Sequence, residues 1–267
     1  MQQQYRKHFI PLESTPEIFN QLSTSLGARP CLEFQDVLTL DEPNLFPHPA
    51  IALILVFPTT NQYEARRVAE FAADTGPSSV EDDQIMWFPQ TINNACGLYG
   101  ILHALSNGIG RSFLEPGSWL ANLLATSRYM SPMERASLVE DSAQLEVAYA
   151  EVAVQGESCQ PERAEDDVDF HYICLVRSPK NGHLYELDGD RKGPIDRGDV
   201  LLPEEDLLGQ GALQVVREYF ENGEDGIGFS LMALVAKEDA ADHCVEQHLH
   251  LDPNRVHSED SGRKPPT

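Results

Sequence analysis

Leu98, Ile101, Leu102 and Leu105 recur at i, i+3, i+4 and i+7, the spacing of one buried helical face. Asn93 and Asn94 ahead of the run are natural N-cap residues and Asn107-Gly108 is a natural stop, so a helix is predicted between them. Trp87-Phe-Pro89 before it reads as a short aromatic strand. Nearer the N-terminus, Thr15-Pro16-Glu17 offers an N-cap, a proline at N1 and an acidic first turn. Phe19, Leu22 and Leu26 continue as an apolar stripe, and Gly27 ends the predicted helix. Leu32–Leu40 reads as a half-buried segment, followed by a proline-rich loop through Pro49. The unbroken apolar run Ala50–Phe57, stopped by Pro58, predicts a central strand buried on both faces. A short helix is predicted around Tyr63–Ala73, and an acidic loop then leads towards Trp87.

Two further helices are predicted beyond Gly108, one from near Ser118 and one opened by the capping box Ser131-Pro132-x-Glu134. Between about Val152 and Asp169 the apolar period is lost in an acidic stretch containing Gly156 and Pro161. A loop of that length inside a compact domain is either functional or disordered. Phe170–Val176 and His183–Asp188 read as two strands joined by turn residues, Arg177 to Gly182, hence a β-hairpin. An amphipathic helix at Ala212–Glu221 and a buried strand at Phe229–Val235 complete the ordered pattern. No internal repeat is present. These elements predict one domain over residues 1–237 and a polar, disordered tail over 238–267.

Length and composition narrow the classes. At 267 residues there is ample chain for a real core. With 43 acidic against 19 basic side chains the net charge is −24, which argues against nucleic acid or an anionic membrane as partner and favours a basic one. Simple solubility through self-repulsion accounts for the charge equally well. The five cysteines (31, 96, 159, 174 and 244) are odd in number and contain no C-x-x-C pair. The N-terminus lacks the apolar stretch of a signal peptide, and the longest apolar run is too short to cross a bilayer. A soluble, intracellular chain with reduced thiols is the expectation.

Cys96 falls in or near the first turn of its helix, where unpaired N–H groups and the positive end of the macrodipole favour an anion. The plain alternative is a small core hydrophobe. Gln90, six residues earlier, can carry an amide donor towards a carbonyl under attack, and Gly97 and Gly100 leave the helix surface open to close approach of another backbone. A thiol nucleophile needs a base, and the base needs an orienter. Of the nine histidines, His103 lies seven residues along the helix, roughly 10 Å from Cys96 along the axis and too far to serve. His243, His248, His250 and His257 lie in the tail, and His183 sits at a turn. His171 remains. If Ser178–Asn181 form the hairpin loop, Arg177 pairs with Gly182 and His171 stands directly opposite Asp188, with Cβ atoms about 4.5–5.5 Å apart. A slip of one residue would put them on opposite faces of the sheet. The alternative is a core histidine beside a surface aspartate. Asp188 to Asp199 also loosely follows a calcium-loop spacing, but Lys192 occupies a ligand position and a strand precedes the loop.

These residues resemble the ubiquitin carboxyl-terminal hydrolases, the UCH family of cysteine deubiquitinases. The similar stretches are Pro11–Glu17, Ile51–Pro58, Gln90-Thr-Ile-x-Asn-Ala-Cys-Gly97, His171–Val176 and Gly182-His-Leu-Tyr-Glu-Leu-Asp-Gly189, in the family's order from about residue 5 to 236. The resemblance implies an α+β, papain-like cysteine protease fold: an antiparallel sheet flanked by helices, a knotted backbone, and an active-site crossover loop over about 152–169. It implies Cys96 as nucleophile, His171 as general base and acid, Asp188 as its orienter, and Gln90 with the Cys96 N–H as the oxyanion hole. Glu13 and Asp36 match acidic positions that contact the basic tail of ubiquitin. No metal or organic cofactor is implied.

The expected activity is thiol-dependent removal of small adducts or short extensions from the C-terminal glycine of ubiquitin. Alternatives are the same chemistry on another ubiquitin-like modifier such as NEDD8, or a ubiquitin-binding module with dormant catalysis. The partner is then ubiquitin or a ubiquitin-like protein, without nucleic acid or membrane, and the chain is expected to act as a monomer in the cytoplasm, with nuclear access open. Departures from the family pattern are a longer hairpin loop, an insertion at Asp190 expected not to touch the triad, the tail, and the lack of a long helical extension.

Overall fold

The computed structural model describes residues 5–72, 84–156, 161, 163–166, 168–221 and 228–237. The elements in chain order are β1 (Lys7–His8), α1 (Pro16–Leu26), β2 (Leu32–Asp36), β3 (Ala50–Pro58), α2 (Asn61–Ala72), β4 (Ile92–Asn93), α3 (Cys96–Ser106), α4 (Trp119–Ser127), α5 (Pro132–Glu140), α6 (Ala143–Ala153), β5 (Phe170–Arg177), β6 (Leu184–Leu187), β7 (Ile195–Asp196), α7 (Gln210–Glu221) and β8 (Ser230–Ala236). Six strands form one sheet in the order β2-β8-β3-β5-β6-β7, with every neighbouring pair antiparallel. The last strand, β8, lies between β2 and β3. The expected α+β fold, an antiparallel sheet flanked by helices, is what the chain adopts.

β3 shows why its sequence is apolar throughout. Ala52, Ile54 and Val56 enter one core with Phe19, Leu22 and Leu26 of α1 and Leu98, Ile101 and Leu105 of α3. Leu53, Leu55 and Phe57 point the other way, into a second core with Leu213 and Val216 of α7. Side chains alternate across a strand, so a strand covered on both faces has no polar position to spare. Each such Leu or Ile, fully buried, contributes about 1.5–3 kcal/mol.

α3 is the most enclosed helix. All eleven of its residues are buried, where the spacing predicted one buried face. The sheet covers one side, with Ile54 at 3.5 Å from a Cβ placed on Gly100, and Leu12 of the N-terminal segment covers the other, at 3.3 Å from a Cβ on Gly97. The two glycines therefore admit neighbouring side chains, not a second backbone. A helix enclosed all round must find partners for its polar residues, which bears on His103 below.

Several boundaries differ from expectation. Thr15 precedes α1 but makes no side-chain cap, whereas Gly27 ends the helix with φ 113° as expected. The half-buried segment shortens to β2, and Trp87–Pro89 forms no strand; β4 pairs in parallel with β1 instead. The capping box of Ser131 and Glu134 is present, but the helix it opens stops at Glu140. Ser142 then caps a further helix, α6, which reaches Ala153 and so occupies the first residues assigned to the crossover loop. The predicted tail beyond 237 lies outside the described residues, as do Cys159 and Cys244.

Candidate active site

Cys96 is the first residue of α3 and is 4 % exposed. Neither asparagine before it caps the helix; Ala95 takes the N-cap position without a side-chain bond. Asn94 instead adopts a left-handed backbone, φ 57°, which asparagine tolerates better than most residues. The Asn94 amide donates to the carbonyls of Ala164 at 3.0 Å and Asp166 at 2.8 Å, and the Asn93 amide reaches Ala164 at 3.4 Å. The turn that presents Cys96 thus also holds Ala164 and Asp166, within the stretch expected to be the crossover loop.

His171 stands near the start of β5 and is buried, with the rings of Phe57 and Tyr63 at 5.8 and 5.5 Å. Its Nε2 lies 2.7 Å from Asp188 Oδ1. The Cys96 thiol is a second hydrogen-bond partner of the ring. The hairpin that brings this pair together is not in the expected register. Cys174 pairs with Leu187 and Arg177 with Leu184, so Gly182 is not opposite Arg177 and His171 is not directly opposite Asp188. The physical reason is the loop. Ser178 N–H donates to the His183 carbonyl at 2.9 Å, Gly182 N–H to the Ser178 carbonyl at 3.0 Å, and Gly182 has φ 78°, closing a six-residue loop where four residues were expected. The displacement is two residues. An even slip keeps both side chains on one face, and diagonal neighbours remain within reach.

Asp188, just past the end of β6, is held on all sides. Its Oδ1 also accepts the Asp190 N–H at 2.9 Å, its Oδ2 accepts the Tyr63 hydroxyl at 2.8 Å, and its carbonyl accepts the Trp87 indole N–H at 3.0 Å. The insertion at Asp190 therefore does touch the triad. Burial pushes the Asp188 carboxyl up, but the adjacent His171, the Asp190 amide and the Tyr63 hydroxyl together hold it below the usual carboxylate range. Burial pulls the His171 imidazole down. The Asp188 carboxylate outweighs it, helped by Cys96 and Asp190, and the imidazole lies well above its ordinary value.

Gln90 is buried in the segment before β4, and its backbone N–H donates to the Gly189 carbonyl at 2.8 Å. The contact is close: a Cβ on Gly189 would come 2.9 Å from Gln90 Cβ and 3.1 Å from its nitrogen. The loop carrying Asp188 thus fixes the backbone of Gln90. Cys96, His171 and Asp188 are brought together as expected, and Gln90 is fastened to the same loop.

Glu13 and Asp36 lie outside this cluster. Glu13 packs against Gly156, just past α6, its Oε2 2.7 Å from a Cβ placed on that glycine. Asp36 lines a groove of about 670 Å³ with Ser14, Leu38, Asp41, Arg217 and Phe229, and burial followed by the nearby Glu17 raises its pKa. Among the described residues no group of three or more His, Cys, Asp or Glu side chains could hold a metal ion, and no helix is long and apolar enough to cross a membrane. The calcium-loop spacing does not converge: Asp188 faces His171, and Asp196 faces His183 at 3.0 Å.

Sequence reasoning missed Tyr63, Trp87, Asn94 and Asp190 as parts of the site. Only Asn94 carried a signal, standing two residues before the cysteine where it was read as a cap. The hydroxyl and indole contacts on Asp188 come from residues far away in the chain, and the backbone N–H comes from Asp190, two residues on, where a sequence gives no sign of it.

With this geometry in place, comparison with known proteins is specific. Residues 9–221 match the family model of ubiquitin carboxyl-terminal hydrolase, family 1. Ubiquitin carboxyl-terminal hydrolase 3 of Arabidopsis thaliana is 33 % identical over 231 residues, covering 85 % of this chain and 94 % of the plant protein. Ubiquitin carboxyl-terminal hydrolase isozyme L1 of Sus scrofa is 36 % identical over 226 residues, covering 84 % of this chain and 96 % of its own length. The catalytic domain of Trichinella spiralis UCH37, solved bound to ubiquitin vinyl methyl ester, superposes with a TM-score of 0.65 at 21 % identity, covering 87 % of this chain and 98 % of that one. The chain belongs to the ubiquitin carboxyl-terminal hydrolase family, a family of cysteine peptidases.

Proposed function

We propose that the chain is a thiol-dependent ubiquitin C-terminal hydrolase that uses Cys96, His171, Asp188 and Gln90. The observation that carries this reading is the convergence of Cys96, at the start of a buried helix, on a histidine whose other nitrogen is 2.7 Å from a buried carboxylate. The Cys96 sulfur attacks the carbonyl of ubiquitin's C-terminal glycine and forms the C–S bond, its proton passing to His171 Nδ1. The tetrahedral oxyanion is met by the Gln90 amide and the Cys96 N–H, which as the first of the helix has no intrahelical partner. His171 then gives its proton to the leaving amine or alcohol as the C–N or C–O bond breaks. Water, deprotonated by the same imidazole, hydrolyses the thioester. No step requires a metal or organic cofactor. Glu13 and Asp36 supply negative charge for the basic tail of ubiquitin, and the crossover segment limits the leaving group to small adducts and short extensions.

The test is release of a fluorescent amide from the C-terminus of ubiquitin, with the NEDD8 amide in parallel. Rapid, Cys96-dependent release from ubiquitin supports the reading. Faster release from NEDD8 would replace the substrate, and ubiquitin binding without release would leave a dormant binding module.

Two further expectations concern the surroundings of the thiol. Gly189→Ala should push on Gln90 and lower kcat about tenfold, a fraction of the roughly 10²–10³ that a whole oxyanion donor supplies, with KM little changed. An unaltered kcat would remove Gly189 as the seat of Gln90. Asn94→Gly keeps the left-handed backbone but removes the two bonds to residues 164 and 166. Selectivity for small over folded leaving groups should then fall by roughly tenfold, the order of one or two net hydrogen bonds. A constant ratio of the two turnover rates would end the size-filter idea.

A further inference from the structure

The segment 86–90 carries Gln90 but belongs to no helix and, up to Gln90, to no strand. The backbone groups of Met86 and Phe88 are held by side chains of α3 and its C-cap, His103 and Asn107. The Phe88 N–H donates to His103 Nε2 at 3.1 Å, and the Phe88 ring stacks on the imidazole at 6.1 Å between centroids. One turn on, Asn107 Oδ1 accepts the Met86 N–H at 2.7 Å. Its Nδ2 donates to the Met86 carbonyl and to the His103 carbonyl, both at 2.8 Å. The His103 ring also has a backbone hydrogen bond with Leu187, the residue before Asp188, and with Nε2 accepting from Phe88 a neutral imidazole has Nδ1–H to donate to a carbonyl there. His103 is 1 % exposed, and burial pushes its pKa down to about 4, so the ring is neutral and Nε2 is free to accept. A single imidazole therefore joins the helix that bears Cys96, the segment that bears Gln90 and the strand end that bears Asp188.

We propose that His103 is a positioning residue for the oxyanion donor: it sets the distance of Gln90 from Cys96 by holding the Phe88 amide and the Leu187 carbonyl at once. The proposal rests on the roles proposed above for Cys96 and Gln90. An apolar side chain would fill the same volume in a helix buried all round. Only a group with an acceptor and a donor about 2 Å apart, as in an imidazole, satisfies both backbone partners without a buried unpaired N–H or carbonyl.

The experiment compares His103→Leu and His103→Gln in the full-length protein, reading kcat and KM on the ubiquitin C-terminal amide and the rate at which iodoacetamide alkylates Cys96. His103→Leu should lower kcat by about 10²-fold, leave KM within about threefold, and leave alkylation unchanged, because the thiol and its base are not disturbed. His103→Gln, whose amide offers both a donor and an acceptor, should recover kcat to within about fivefold of wild type. In a Gln90→Ala background His103→Leu should cost little more, since the group it positions is already gone. Undiminished kcat in folded His103→Leu, equal losses in Leu and Gln, full additivity with Gln90→Ala, or a parallel loss of alkylation would each overturn the proposal. Should His103→Leu not fold, His103→Asn, polar but too short to reach both partners, takes its place in every comparison. A wild type without Cys96-dependent turnover would overturn both the function and this role, a result distinct from a fully active His103→Leu.

Discussion

Cys96→Ala is expected to lower turnover of a ubiquitin C-terminal amide by at least about 10⁴-fold while ubiquitin binding persists. The change removes one sulfur atom. Alanine suits the first position of a helix, and the site is buried enough that the side chain offers little surface to a partner. No other described thiol can take over. Cys31 and Cys174 are buried, and Cys174 lies within β5, where burial pushes its thiol far up and away from the reactive form. Because nucleophile and base act as one unit, Cys96→Ala with His171→Ala should be no slower than Cys96→Ala alone. Binding and turnover are read separately, by calorimetry with ubiquitin and by fluorescence release. Turnover that survives in Cys96→Ala would end the mechanism.

The chemistry of this site was more legible in the chain than its scaffold. Cysteine at a helix start, a glutamine six residues before it and a histidine and aspartate on facing strands are visible as residue types at spacings. The His171–Asp188 contact was found by assuming a four-residue loop, which was wrong, and it survived because the error was even. An odd error would have lost it. What could not be read is what holds these groups. Tyr63 reaches Asp188 from α2, across 125 positions of sequence, and Trp87 reaches it across 101. Nothing local distinguishes such a tyrosine from any other. Asp190 was judged an insertion that does not touch the triad, because a backbone N–H has no signature in a sequence, yet that N–H donates to the buried Asp188 carboxylate.

In the fold, the clear elements were those whose hydrophobic period agrees with their burial: β3, α1 and α7. α3 was placed correctly at its stop and within two residues at its start, where Ala95 and not an asparagine is the N-cap. Its environment was misread, since enclosure on all sides depends on Leu12 and the sheet, not on the helix's own pattern. α6 was absorbed into its neighbours because Asp141-Ser142 lacks the glycine or proline that ordinarily marks a break. The cap by Ser142, whose hydroxyl also accepts the Trp119 indole at 2.8 Å, needs a tertiary partner to be recognised. β7 has two residues and exists only because β6 offers its edge.

His171→Ala is expected to cost about 10³–10⁴-fold in kcat/KM, and Asp188→Asn clearly less, roughly 10–10²-fold. The difference follows from what each change leaves behind. Without the imidazole there is no base for the thiol and no acid for the leaving group. An asparagine at 188 can keep most of the geometry. Its Oδ1 still accepts from His171 Nε2–H and the Asp190 N–H, and its amide can donate to the Tyr63 oxygen, reversing the bond seen with the carboxylate. Charge is the main loss, so the signature lies in the pH profile. The carboxylate is what chiefly raises His171 and stabilises its protonated form. Once neutral, it lets the imidazolium lose its proton at lower pH, and the alkaline limb of kcat/KM moves towards acid. Stability follows the same signs. The depressed Asp188 contributes stability above its unfolded value of about 3.9, lost as pH falls through the folded value, and the raised His171 contributes below about 6.5, lost as pH rises through its folded value. Asp188→Asn should remove both contributions, flattening unfolding free energy against pH at the two ends. An alkaline limb that stays in place in Asp188→Asn, whatever the loss of rate, would mean that the carboxylate only orients the ring.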